Sequence, residues 1–312
     1  MNEFEIISVN ISEKKGTIKK TIETALVNKL GIEGDAHAAL WHRQISLLPV
    51  ESIEKFSNIT GRAFKYGEFA ENITTKGISL RDTSILDILK IGDVVLEITQ
   101  IGKLCHGNKC SIYTQVGNCI MPEEGIFCRV ITPGLISVGM KGIWLPKVFR
   151  VKVITVSDRA YAGIYEDLSG PAIKNYLSSF FMDAKRKVVV DNILVPDDEE
   201  KLSKVLKDAI YDNVDFIFTT GGTGIGPRDI TPEVVSKFIE KEIPGIMDSI
   251  RLKYGENLPA ALISRSIAGI AQNSVIFTLP GSVKAINEYI SEIKKNILHI
   301  SYMIKGLDVH NI

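Results

Sequence analysis

The sequence has no apolar run of the roughly 18 residues that a bilayer crossing requires, so a membrane-spanning helix is not expected. Its opening, MNEFEIISVNISEKK, has acids where an export signal would have a basic start and an apolar core, and so reads as a cytoplasmic N-terminus. Neither sign of charge is in excess. Lys plus Arg and Asp plus Glu number 37 each, which removes the basic footprint that drives nucleic-acid binding by counterion release. Cysteine is scarce: four in 312 residues, without an export signal, argue against a disulfide framework and for reduced thiols whose roles are chemical or structural. Low-complexity segments and internal repeats are absent as well.

What is present is ordinary globular material, 45% hydrophobic and 24% charged, which disfavours disorder. The length exceeds a typical domain of roughly 150 residues, so two cores are expected. From residue 151 onward, VKVITV, KVVVDNILV, VDFIFTT and SVIFTL are short runs rich in Val and Ile, as buried parallel strands require. Between the first two, Ser169 can cap a helix with Pro171 in its first turn and Ile173, Tyr176, Leu177 and Phe180 on one face. Leu202, Val205, Leu206, Ala209 and Ile210 repeat the helical spacing, as do Ile286, Tyr289, Ile290 and Ile293. These alternations predict an α/β domain with a mostly parallel sheet covered by helices. Residues 1–146 read differently. QISLLP, DVVLEITQIG, GIFCRVI and LISVGM are separated by Gly, Pro and Asn turn signals, which predicts a β-rich, barrel-like domain. The boundary falls near Pro146 to Arg150, giving domains 1–146 and 147–312.

After the strand FIFTT comes GGTGIGPRDITPE, with a helix start at Thr231, Pro232 and Glu233. Such a loop exposes main-chain N–H groups at the positive end of a helix and favours an anion such as phosphate; a merely tight turn is the rival reading. It is not a Walker loop, since Pro227 and Arg228 stand where Lys and Ser or Thr are required. Arg228 can fork onto phosphate. Asp229 beside the same anion is most economically explained by a shared Mg²⁺, against the alternative of a helix cap. Asp197 and Asp198 follow the strand NILV, and Ser157, Asp158, Arg159 and Asp167 follow the first strand. Polar clusters after three strands converge on the carboxyl edge of the sheet, where open parallel sheets bind ligands.

VITVSDRAYAGIYEDLSGP, TTGGTGIGPRDITPE, IPGI, ISRSIAGI and LPGSVKAI, in that order over residues 151–300, resemble the molybdopterin adenylyltransferases and the related G domains of plant and animal molybdenum-cofactor proteins. The resemblance implies a three-layer α/β/α fold, homo-oligomeric and often trimeric through this domain. It also implies transfer of AMP from Mg-ATP to the terminal phosphate of molybdopterin. By the same resemblance Asp197 and Asp229 position Mg²⁺ and the triphosphate, and Gly221, Gly222, Thr223 and Gly224 hold phosphate through the main chain. Ser264 and Arg265 would help hold the pterin. Some relatives bind the pterin without adenylylating it, so a non-catalytic carrier delivering cofactor to molybdoenzymes is the alternative function; a scaffold has no linker to support it.

The four cysteines, Cys105, Cys110, Cys119 and Cys128, fall in C-x4-C-x8-C-x8-C spacing. That spacing lacks the paired knuckles of zinc sites, although His106 could join them. Burial as a small hydrophobe suits Cys128, whereas a reactive thiolate is favoured near Lys103, His106 and Lys109. In GIEGDAHAALWHRQISLL, His37 and His42 are too far apart to share a helix face, while Arg43 and the backbone around Gly34 could hold an anion. Glu68, Glu71 and Asn72 in GEFAENITT are ambiguous alone. Together with IGKLCHGNKC, GNCIMPEEGIF and ISVGM, these segments resemble the MOSC domain over nearly all of residues 5–145. The resemblance implies a β-rich domain that binds molybdenum cofactor or carries sulfur through a cysteine, with Cys110 as the thiol, Cys105 next and Cys119 characteristic of the short bacterial form. His42 and Arg43 remain candidates for its ligand site.

Overall fold

Alternation of buried and exposed side chains along the first strand already shows one face turned to a core: Phe4 and Ile6 are buried while Glu3 and Glu5 are exposed. The computed structural model describes residues 3–79, 82–103, 113 and 119–307. The chain divides into two compact units, the first reaching Lys147 and the second spanning Val148–Gly306.

In the first unit the strands are β1 (Glu3–Ile11), β2 (Lys20–Ile22), β3 (Thr24–Asn28), β4 (Gly31–Ile32), β5 (Ile45–Pro49) and β6 (Ile73–Lys76). They are followed by β7 (Ile88–Ile91), β8 (Val94–Ile101), β9 (Ile126–Thr132), β10 (Gly134–Ser137) and β11 (Lys141–Leu145). The order β11-β7-β8-β9-β5-β6-β1 closes on itself through an antiparallel β1–β11 pair, making a seven-stranded barrel, as the turn-rich pattern predicted. Closure depends on a glycine. Phe4 faces Gly142 across the seam, and a Cβ at Gly142 would lie 2.3 Å from the Phe4 ring. Ile6, Val9, Ile45, Leu47, Ile73, Leu89, Leu96, Ile98, Ile126 and Cys128 fill the interior completely shielded from solvent. Outside the barrel the helix Val50–Thr60 lays Ile53 and Phe56 on Phe64, Phe69, Met121 and Phe127, with the Phe56 and Phe69 rings edge to face at 5.6 Å.

The second unit contains β12 (Val148–Val156), β13 (Lys187–Val195), β14 (Phe216–Thr220), β15 (Lys241–Glu242), β16 (Ala268–Ala271) and β17 (Ser274–Leu279), in the order β13-β12-β14-β17-β16-β15. The pairs among β12, β13, β14 and β17 are parallel, and β16 and β15 add antiparallel edges. Neighbouring residues of β14 serve opposite faces. Phe216 packs with Phe149 and with Phe181 of the helix Ser169–Asp183, while Ile217 joins Leu202, Leu206 and Ile210 of the helix Glu199–Tyr211. The result is the helix-covered, mostly parallel sheet that the alternation predicted.

Three local expectations need correction. KVVVDNILV was read as a buried strand, yet β13 is a sheet edge, and Val189 is 59% exposed. In the helix Ser169–Asp183 the large buried side chains are Ile173, Leu177 and Phe181, at a four-residue spacing, while Tyr176 and Phe180 are only half-buried. Ser169 does not cap that helix. Asp167 does: its Oδ1 accepts the N–H groups of Ser169 (2.9 Å) and Gly170 (3.1 Å), while the Ser169 hydroxyl donates to the carbonyl of Gly281 at 2.7 Å.

Candidate functional site

The chain leaves β12, runs out to β13, and returns past β12 to β14, so the sheet's direction of growth reverses at β12. Ligands of open α/β sheets sit at such a reversal, beyond the carboxyl ends of the strands. A cleft of about 910 Å³ lies there. Ser157, Asp158 and Asp167 after β12, Asp197 after β13, Gly221–Gly224, Arg228 and Asp229 after β14, and Ser264 all line it, so the structure unites most of the residues singled out by sequence.

Each side chain is fixed by its element. Ser157 is the N-cap of the turn Asp158–Tyr161, and its hydroxyl accepts the N–H of Ala160 at 3.3 Å. Asp158 and Asp197 clasp reciprocally: the Asp158 N–H donates to Asp197 Oδ2 at 2.8 Å, and the Asp197 N–H donates to Asp158 Oδ1 at 3.0 Å. Asp158 Oδ2 accepts a fork from Arg228, Nε at 3.1 Å and Nη2 at 2.5 Å. The Arg228 guanidinium holds the Asp158 carboxyl below the usual carboxylate range, and Asp158 raises Arg228 in return. Both Asp158 oxygens are therefore engaged. Asp198, the next acid, turns away to cap the helix Glu199–Tyr211, accepting the Lys201 N–H at 2.9 Å.

The loop after β14 depends on its glycines. Gly221 and Gly222 have φ of +96° and +61°, a region that strains any other residue. A Cβ at Gly221 would meet the Val156 carbonyl at 2.3 Å, and one at Gly222 would meet Thr231 Oγ1 at 2.5 Å. Asp229 Oδ2 accepts the Gly226 N–H at 2.8 Å and closes the loop. Among the described residues, the main-chain N–H groups of Gly222, Thr223, Gly224 and Ile225 have no acceptor, nor do Asp197 Oδ1 and Asp229 Oδ1 accept any hydrogen bond. The cleft thus presents the uncommitted N–H groups of Gly222, Thr223 and Gly224 beside two half-committed carboxylates. That combination suits an anion accompanied by a hard cation.

Sequence reasoning missed Tyr289 as a polar contributor. It occupies the buried face of the helix Val283–Ile293, as its spacing predicted, but its hydroxyl reaches the cleft and donates to Ser264 Oγ at 3.1 Å. A Tyr within an otherwise Ile-rich face was the available signal, because a buried phenol needs a partner. Arg265 does not line the cleft.

In the first unit, Cys105 and Cys110, with His106, Lys109 and Ile112, lie outside the described residues. Cys119 is half-buried against the Phe56 cluster, and Cys128 is enclosed in the barrel, where burial and then Glu97 push its thiol far up. The Arg43 guanidinium stacks 4.9 Å over the Trp41 ring with its Nε buried and without an acceptor, and the His42 carbonyl accepts the Thr99 hydroxyl. His37 is engaged with Asp35 rather than His42: its N–H donates to Asp35 Oδ1 at 3.0 Å. Sequence reasoning missed the partner of that acid. Lys19, fully buried, pairs with Asp35, which also accepts the Ser12 N–H at 3.0 Å. Burial favours a neutral Asp35, but the His37 and Lys19 hydrogen bonds outweigh it and hold the acid well below the usual range. Glu71 is buried as well, and desolvation raises it despite the N–H of Gly67 at 2.6 Å.

Comparison with known proteins gives two family matches: residues 152–299 match the probable molybdopterin binding domain, and residues 33–141 match the MOSC domain. The molybdopterin adenylyltransferase of Helicobacter pylori is 35% identical over 161 residues, covering 51% of this chain and 90% of its own length. That of Pyrococcus furiosus is 39% identical over 160 residues, covering 50% and 90% respectively. The Escherichia coli K12 protein of the same name is 30% identical over 146 residues, 46% of this chain and 73% of its own.

Proposed function

The chain belongs, through its C-terminal unit, to the molybdopterin-binding family that includes the molybdopterin adenylyltransferases, and from that premise we propose that this unit transfers AMP from ATP to molybdopterin. The observation that carries the proposal is the meeting, in one cleft, of free loop N–H groups with Asp197 and Asp229, each with one oxygen uncommitted. In the reaction an oxygen of the molybdopterin phosphate attacks the α-phosphorus of ATP, the bond from that phosphorus to the bridging oxygen breaks, and pyrophosphate leaves. Little covalent work falls to the protein, so alignment and charge carry the catalysis. The N–H groups of Gly222, Thr223 and Gly224 hold phosphate oxygens. Asp197 and Asp229 hold Mg²⁺, which when bound neutralises the charge of the triphosphate. The clasp to Asp158 fixes Asp197, and Arg228 holds Asp158 in its turn. Ser264, steadied by Tyr289, faces the pterin.

The MOSC domain, on this proposal, handles the same cofactor, binding it or carrying sulfur through Cys110, with Cys105, Cys119, His42 and Arg43 as its other candidates. The assembly is a homo-oligomer, a trimer formed through the C-terminal unit, acting in the cytoplasm and supplying molybdoenzymes. The test is label transfer: with ATP labelled at the α-phosphate, label should move to molybdopterin, and with ATP labelled at the γ-phosphate it should appear in pyrophosphate. Tight molybdopterin binding without either transfer would mark a carrier.

A further inference from the structure

Ser264 and Arg265 are adjacent in sequence, but only Ser264 lines the cleft. Three of the four donor groups that Arg265 uses are turned to the glycine loop, and the fourth to the helix after it. Its main-chain N–H donates to the carbonyl of Thr223 at 3.0 Å, its Nε to that of Gly224 at 2.5 Å, and its Nη2 to that of Asp229 at 2.7 Å, while Nη1 pairs with Glu233 in the helix that follows. One residue therefore ties both ends of the loop to the first turn of the next helix.

These contacts also decide which way the loop's donors face. In a planar trans peptide, the carbonyl of one residue and the N–H of the next point in opposite directions. With the Thr223 and Gly224 carbonyls committed to Arg265, the N–H groups of Gly224 and Ile225 must point away from it, and neither has an acceptor among the described residues. Lysine could not replace this residue. Its single ammonium is a point donor, whereas the carbonyls of Gly224 and Asp229 and the Glu233 carboxylate are reached by three different nitrogens of a rigid planar fork.

We infer that Arg265 is a positioning residue for the phosphate-binding loop, acting on the triphosphate through the orientation of the Gly224 and Ile225 peptides and not through contact with the pterin. This inference rests on the adenylyl-transfer reading for its substrate, but the loop geometry can be tested without turnover. The probe is inorganic tripolyphosphate with Mg²⁺, titrated calorimetrically into the full-length protein and its Arg265→Lys and Arg265→Ala variants, with molybdopterin titrated in parallel. Arg265→Lys keeps the positive charge, so a loss of about tenfold or more in tripolyphosphate affinity, with molybdopterin affinity within twofold of the parent, is the expected result and belongs to geometry. Arg265→Ala should behave the same way, and guanidinium ion should restore part of its affinity. Should Arg265→Ala fail to fold, Arg265→Lys decides alone. Equal tripolyphosphate binding by parent and Arg265→Lys, no tripolyphosphate binding by the parent, or a loss confined to molybdopterin would each overturn the inference. A parent that binds tripolyphosphate but never releases pyrophosphate would sink the adenylyl-transfer reading and leave the loop comparison intact.

Discussion

Replacing Lys19 by Met should cost the first unit about 3 kcal/mol. The side chains of Lys19 and Asp35 are 0% and 1% exposed, so the ion pair has no solvent to fall back on. Removing one partner of a buried pair costs roughly 3–5 kcal/mol because the other charge is left uncompensated. Asp35 would keep the N–H groups of Ser12 and His37, both at 3.0 Å, which places the loss at the lower end of that range. In a unit of this size such a loss lowers the midpoint of thermal unfolding by roughly 10 °C. The assay is built into the sequence, since both tryptophans, Trp41 and Trp144, lie in the first unit and report its urea unfolding by fluorescence. Adding Asp35→Asn to Lys19→Met should recover much of the deficit, because the stranded charge is then gone while the amide oxygen can still accept from the main chain of Ser12 or His37. Acid works in the same direction. The folded-state depression of Asp35 contributes stability that is present above its unfolded value near 4 and is lost as pH falls through the lower folded value, so the gap between parent and Lys19→Met should narrow on acidification. A loss below about 1 kcal/mol, or a double variant no better than the single one, would refute this account of the pair.

Asp229→Asn should lower turnover on the order of a hundredfold while leaving the Kd for molybdopterin nearly unchanged, since a lost cation ligand harms the charged transition state more than docking; unchanged turnover at saturating Mg²⁺ would remove the assigned role. Gly221→Ala places a Cβ 2.3 Å from the Val156 carbonyl at a φ of +96°, so it should cost roughly 1–3 kcal/mol in the second unit and abolish tripolyphosphate binding, measured by calorimetry. Cys128, its thiol raised by burial, should resist iodoacetamide at pH 8 until the barrel unfolds, whereas Cys110 should alkylate first; the reverse order, read by mass spectrometry, would contradict both assignments.

Much of this was legible in sequence because the signals were local. Val/Ile runs placed β12, β13, β14 and β17, and helical spacing put Leu202, Leu206, Ile286 and Ile290 inside. The short antiparallel strands β15 and β16 left no such mark, being two and four residues long with Gly269 in the second. What sequence could not give was pairing at a distance. Lys19 and Asp35 are 16 residues apart, and Asp158 and Arg228 are 70 apart, so their partnerships exist only once the strands between them are in register. Asp197 and Asp198 look equivalent as neighbours, and only the backbone decides that one is clasped to Asp158 while the other caps a helix. The two residues of ISRS that the family resemblance placed together on the pterin part company for a similar reason: Ser264 meets Tyr289, and Arg265 meets the carbonyls of the glycine loop.

Adenylyl transfer by the second unit, as proposed above, is tested by pyrophosphate release. Purified full-length protein and its Asp229→Asn variant are each given molybdopterin and Mg-ATP, and pyrophosphate is followed continuously. The account predicts release that requires both substrates, ends when molybdopterin is consumed mole for mole, and nearly vanishes in the variant. Stoichiometric molybdopterin binding by the parent with no pyrophosphate above the variant's level would contradict it.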